Sequence, residues 1–270
     1  MIGALALDHS DSAMLDALIR SWRSHRPRNL TRSVYFDGEA ALKDFGISLP
    51  PQMKSVSARL GWTAKGVRAV TDRSQFAGFV SPGDLFGIDE IAAQNEFETE
   101  FPDAKVSSAV HGVSFLTVSG GDVQSGEPAI QVLARDAEDS AAIWDPRRRA
   151  IAGFLSVVEK TFYGSPTRLV MYLPSKVVTL TRVERVWGAS WKAEVIPNPL
   201  GFVSVAPLVY GRQLKRPLGV SRITPASMGY VDSSIRTIVR SEVSAEFYSA
   251  PEYWLFGADV NSFIGDDKWS

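Results

Sequence analysis

Three histidines, His9, His25 and His111, are the only imidazoles in 270 residues, and none stands at HExxH or HxH spacing. Two histidines must share one helix face or strand edge to hold a metal between them, so no metal pair is read here. There are no cysteines, which removes thiolate ligands, disulfides and sulfur nucleophiles together. Neither a GxxxxGK[ST] loop nor a GxSxG elbow occurs, so phosphate cradling by a P-loop and the usual serine-hydrolase frame are both absent. Carboxylates are the remaining chemistry, because a pair of them can run glycoside or metal-assisted hydrolysis. Glu96, Glu98 and Glu100 alternate at the end of an expected helix that also carries Phe97, and read as a solvated face. Asp266-Asp267 lies near the chain end. Trp22, Trp62, Trp144, Trp187, Trp191, Trp254 and Trp269 could stack on sugars or bases, but each lies among apolar residues and reads as core or subunit interface. No catalytic residue, cofactor or metal is expected.

The elements that would position any site follow from composition and periodicity. With 45% hydrophobic and 22% charged residues, the chain is that of an ordinary globular protein. Lys plus Arg (29) nearly balance Asp plus Glu (30), giving a net charge of −1, which is not the footprint of a protein gripping nucleic acid through one basic face. No signal peptide and no apolar run of about 20 residues is read, so a soluble, intracellular protein is expected.

Ser10 to Arg26 reads as a helix with Leu15, Leu18, Ile19 and Trp22 inward, ended by Pro27. Arg20, Arg23, Arg26 and Arg28 then complement its C-terminal dipole, or alternatively form a basic arm. Tyr35-Phe36-Asp37-Gly38 is a turn. Helical patterns return over Lys54–Phe76, weakened by Gly61 and Gly66, over Asp84–Glu100, and briefly over Ala104–Val110. From Val113 the pattern becomes that of short strands: Val113–Val118, Ala129–Leu133, Ala150–Val158, Arg168–Tyr172, Val177–Val183, Trp187–Ile196 and Val203–Val209. No helix-length crossovers separate them, so the sheet is expected to be mainly antiparallel. After Gly219, Thr224 caps and Pro225 opens a helix to about Tyr248, with Val231, Ile235, Ile238 and Val239 in one stripe. The fold class is thus α+β, with a sheet flanked by helices and a long C-terminal helix.

Several segments resemble the portal proteins of tailed bacteriophages, in the form common among phages of high-GC Gram-positive hosts. They are Tyr35-Phe36-Asp37-Gly38-Glu39, Gly61-Trp62 through Phe79, Trp144-Asp145-Pro146-Arg147, Gly219 to Ile223, and Glu242 to Pro251. The likeness runs from about Asn29 onward and rests on their joint order. It implies a non-enzymatic subunit of a dodecameric ring that conducts the genome without sequence-specific binding. It also implies terminase, capsid or scaffold, and head-completion proteins as partners, no membrane, and residence in the virion after assembly in the host cytoplasm. Residues 1–30 would be an N-terminal helix or arm, 31–218 a wing-like domain, and 219–270 a long helix and the start of the stem. Family members continue past Ser270, so the clip and other regions are not represented. Charges of both signs at Asp232, Arg236, Arg240, Glu242 and Glu246 are expected to mark a subunit interface. Two rival readings stand beside this one: a carboxylate-dependent hydrolase of glycan or cell wall, and a prophage remnant that folds but assembles nothing.

Overall fold

The computed structural model describes residues 7–40, 58–185 and 188–249. Among these residues, five α-helices and eight strands follow one another as α1 (His9–Phe36), α2 (Trp62–Thr71), α3 (Ile88–Gln94), α4 (Phe97–His111), β1 (Val113–Gly120), β2 (Ile130–Arg135), β3 (Ser140–Asp145), β4 (Ala150–Lys160), β5 (Pro166–Tyr172), β6 (Lys176–Arg185), β7 (Gly188–Pro197), β8 (Val205–Val209) and α5 (Pro225–Ser249). The fold is α+β, as expected, with every strand pair antiparallel. The chain divides into two compact units, Met1–Ala40 with Leu60–Val231, and Ala41–Arg59 with Asp232–Ser270.

Within the first unit the strands form two sheets, a meander ordered β3-β4-β5-β6-β7 and a three-stranded sheet ordered β2-β1-β8. Alternation along β4 explains the layering. Leu155 and Val157 point to α1, where Leu15, Leu18 and Trp22 join Leu169, Met171, Val178 and Leu180 in one core. Phe154 points the other way, to Phe115, Val203 and Val205 of the smaller sheet. The Phe115 and Phe154 rings meet at 4.7 Å between centroids. Each such fully buried side chain contributes about 1.5–3 kcal/mol. Gly153 lets α1 approach β4 closely, since a Cβ there would lie 3.0 Å from the Met14 sulfur.

Helix α1 does not stop at Pro27 but runs on to Phe36. Proline removes one backbone donor and crowds the preceding turn, a cost met here by anchors on both sides of it. The Trp22 indole N–H donates to the Glu138 carbonyl at 2.7 Å. Asn29 Nδ2 donates to the Ala137 carbonyl at 2.8 Å, and Arg32 to the His111 carbonyl at 2.9 Å. The arginines from Arg20 to Arg28 are therefore mid-helix, not at its C-terminus, and Arg26 lies over the Trp22 ring. The turn at Asp37-Gly38 closes this longer helix.

Two further expectations are corrected. Among the described part of Lys54–Phe76, helix is confined to Trp62–Thr71, and Gly61 is its N-cap. The Asp84–Glu100 helix is two helices broken at Asn95-Glu96, where Glu96 takes a left-handed φ of 47°. The second of them absorbs the short Ala104–Val110 helix, with Pro102 inside. One strand, β3, was not expected at all.

The switch at Gly219 has a steric cause. Its φ is +81°, and a Cβ there would lie 2.3 Å from the carbonyl oxygens of Gly112 and Tyr210. Only glycine lets these backbones cross. Ser221 and Arg222 then bond back to the end of α4, and α5 opens with a reciprocal cap. The Ser227 N–H donates to Thr224 Oγ1, and the Thr224 N–H to Ser227 Oγ. Along α5, Val231, Ile235 and Val239 are buried, while Ile238 lies at the rim.

Candidate assembly interface

A polar cluster joins α1, the end of α4 and the β2–β3 loop. His111 is only 6% exposed, and its Nε2 lies 3.9 Å from Glu138 Oε1. Burial outweighs the attraction of Asp136, and with Arg32 nearby it pushes the His111 pKa down to about 4. The imidazole is thus neutral at pH 7, and its contact with Glu138 is no ion pair. Arg32 is pushed down to about 10 by burial and by Arg28, and remains charged. Ser33 also donates to Glu138. Ser33 and Asn29 thus tie the loop to α1, and Arg32 ties α1 to the end of α4. His111 lies at the end of α4, where the chain turns into β1.

The three glutamates diverge. Glu96 forms the left-handed break, and Glu98 lines an open groove of about 390 Å³ with Asp72, Phe76 and Lys105. Lys105 donates to the Ser74 carbonyl across that groove. Glu100 is not a solvated residue: its Oε2 accepts the Ala134 N–H at 3.0 Å. Asn95 adds to this, with Oδ1 accepting the Val132 N–H at 2.7 Å and Nδ2 donating to the Ile130 carbonyl at 2.8 Å. Together they close the outer edge of β2. Among the described residues no group of three His, Asp or Glu side chains could hold a metal ion. Asp266-Asp267, Trp254 and Trp269 lie outside those residues, as does Trp187.

Surfaces suited to assembly are found elsewhere. Strand β7 pairs with β6 along ten residues, and among the described residues nothing pairs with its other edge. Val195 and Ile196 on it are 48% and 55% exposed. At the β4–β5 hairpin tip, Phe162 and Tyr163 are 99% and 91% exposed and stack edge to face. Trp62, expected inside or at an interface, is 56% exposed, whereas Trp22 is core, Trp191 packs against that core, and Trp144 packs against the core around Phe115 and Phe154. The five charged residues singled out on α5 all fall within it. Arg240, Glu242 and Glu246 are exposed; Asp232 and Arg236 are half-buried and already engaged. Asp232, Arg236 and Arg240 follow one another at four-residue spacing, so they share a row. The open β7 edge and the exposed aromatic tip had no sequence signal, because exposure depends on which strand ends up outermost.

No protein-family model matches the chain. It is 25% identical over 250 residues to the portal protein of Mycobacterium phage D29, covering 90% of this chain and 51% of that protein. It is 28% identical over 237 residues to the portal protein of Mycobacterium phage L5, covering 84% and 48% respectively. The chain thus spans about half the length of the curated relatives it matches. Among the described residues, no helix is long and apolar enough to cross a membrane. Along most of its length, this chain is similar to the portal proteins of two mycobacteriophages.

Proposed function

We propose that the chain is a structural portal subunit, working in a ring of identical copies that conducts phage DNA during packaging and ejection. The observation that carries this is the likeness to two portal proteins along 84–90% of the chain. Residues 31–218 then serve as the wing and 219–270 as the approach to the stem. Terminase, capsid or scaffold, and head-completion proteins are its partners, and the virion its destination. The subunit itself performs no chemistry.

A closed ring joins each subunit to its two neighbours through different surfaces, a head-to-tail contact. The unpaired β7 edge and the mixed charges at Asp232, Arg236, Arg240, Glu242 and Glu246 suit that use, since a strand edge supplies register and opposite charges supply specificity. The test is reversal of two of the three exposed charges, Arg240→Glu and Glu246→Lys, in separate variants. Electron microscopy should show fewer rings than the parent for each, with the thermal melt unchanged. Rings at parental yield in both variants would remove α5 from the interface.

A further inference from the structure

A near-neutral chain carries a strongly basic surface beside β3. Strand β3 ends in Trp144-Asp145, and the turn that follows is Pro146-Arg147-Arg148-Arg149, all four exposed. The turn is rigid, because Asp145 Oδ1 accepts the N–H groups of Arg147 at 2.8 Å and Arg148 at 3.2 Å. That same carboxylate is the acid of the turn, and its ion pair with Arg148 is long, at 3.9 Å, on a guanidinium 77% exposed. A second turn lies beside the first. Arg212 places its guanidinium 5.3 Å from the centre of the Trp144 ring, and the bridge between Gln213 and Arg216 closes the loop. Arg212, Lys215 and Arg216 are exposed, and Leu214 at the tip is fully so.

The backbone of the first turn is also unusual. Arg149 holds a φ of 52°, a left-handed conformation that glycine or asparagine adopts at less cost. An arginine there adds strain that a turn needing only closure would avoid.

We propose that Arg147, Arg148, Arg149, Arg212, Lys215 and Arg216 form a binding patch for the phosphate backbone of duplex DNA. Five of the six are arginines, whose planar fork matches phosphate oxygens in pairs and sheds water more readily than an ammonium. They are spread over two turns without a pocket, which suits a repeating row of phosphates. Each contact there releases a counterion, with no need for a ligand chain to fold. This deepens the portal reading by naming where DNA touches the subunit. The two ideas fail separately, because DNA binding is read on whatever assembly state the chain adopts.

The experiment is fluorescence anisotropy of the full chain with a labelled duplex of about 30 base pairs, titrated at several salt concentrations. If all six cations engage, affinity should fall roughly 10³-fold between about 50 and 200 mM salt. Arg147→Glu, Arg148→Glu and Arg149→Glu together should weaken binding at least about tenfold. Arg149→Gly, which relaxes the backbone, should not lower the melt, while it lowers the salt slope by about one. Arg20→Glu, Arg23→Glu and Arg28→Glu on α1 make the same change in net charge, and should leave binding within about twofold of the parent. Absence of duplex binding at the lowest salt would overturn the proposal. So would an equal loss in the α1 variant, or an Arg149→Gly protein that binds with the parental slope. Displacement of the duplex by polyglutamate at equal charge concentration would show a site for acidic chains and overturn it as well.

Discussion

Strands β2 and β7 are both outermost in antiparallel sheets, yet they face their surroundings in opposite ways. The outer backbone of β2 is hydrogen-bonded by side chains from the α3–α4 break, Asn95 to Ile130 and Val132, and Glu100 to Ala134. The outer edge of β7 has no such cover among the described residues and carries exposed Val195 and Ile196. An unpaired edge is a template for another strand, and proteins that need no partner there blunt it with charge, proline or a covering element. One edge of this molecule is blunted and another is left available. In the portal reading, the sealed edge belongs to the subunit's own stability and the open one to its neighbours.

Breaking the seal gives the largest expected effect. Asn95→Ala with Glu100→Ala strands two backbone N–H groups and removes a charge-assisted bond, costing roughly 2–4 kcal/mol. A domain of this size should then melt several degrees lower, about 2–4 °C per kcal/mol, and aggregate more readily as the edge opens. An unchanged melt would mean that water replaces both side chains, and that β2 was never protected by them.

A second effect concerns the His111 cluster at the far end of the same helix. Its folded pKa, about 4, lies below the unfolded value near 6.5, so the unfolded chain binds the extra proton between these pH values. Stability is therefore complete above about pH 6.5 and falls as pH drops toward 4, by about 2 kcal/mol between pH 7 and 5. His111→Gln should flatten that dependence in thermal melts. A parental slope in the variant would assign the acid sensitivity to other groups.

At β7 the expected stability effect is the smallest and the association effect the most telling. Val195→Asp and Ile196→Lys change exposed side chains, so each should alter stability by no more than about 0.5 kcal/mol. Sedimentation should nonetheless show weaker self-association in both. Equal association in all three proteins would leave β7 as an ordinary edge.

The sequence made some of this visible and hid the rest for physical reasons. Helix α5 was legible to within a residue because its cap, its first-turn proline and its stripe all agree locally. Seven of the eight strands were legible from β-branched runs, whereas β3 begins Ser140-Ala141-Ala142 and has little strand propensity of its own. It is a strand because β4 pairs with it. Pro27 misled because local propensity favours a stop, and the three α1 side chains that override it bind carbonyls 79 to 116 positions away. The same distance hid the seal on β2, since Glu100 reads as one of three solvated acids until β2 is brought beside it. The basic patch went unread in the sequence, because Arg212 lies far along the chain from Arg147–Arg149 and a net charge of −1 averages the patch away.

Native mass spectrometry of the purified chain tests the central claim most directly. A portal subunit should appear as a discrete, closed oligomer of one copy number, twelve in the family, that dissociates into folded monomers. A strictly monomeric protein at all concentrations, or one with reproducible hydrolytic turnover abolished by a single change at Glu98 or Asp145, would contradict the account.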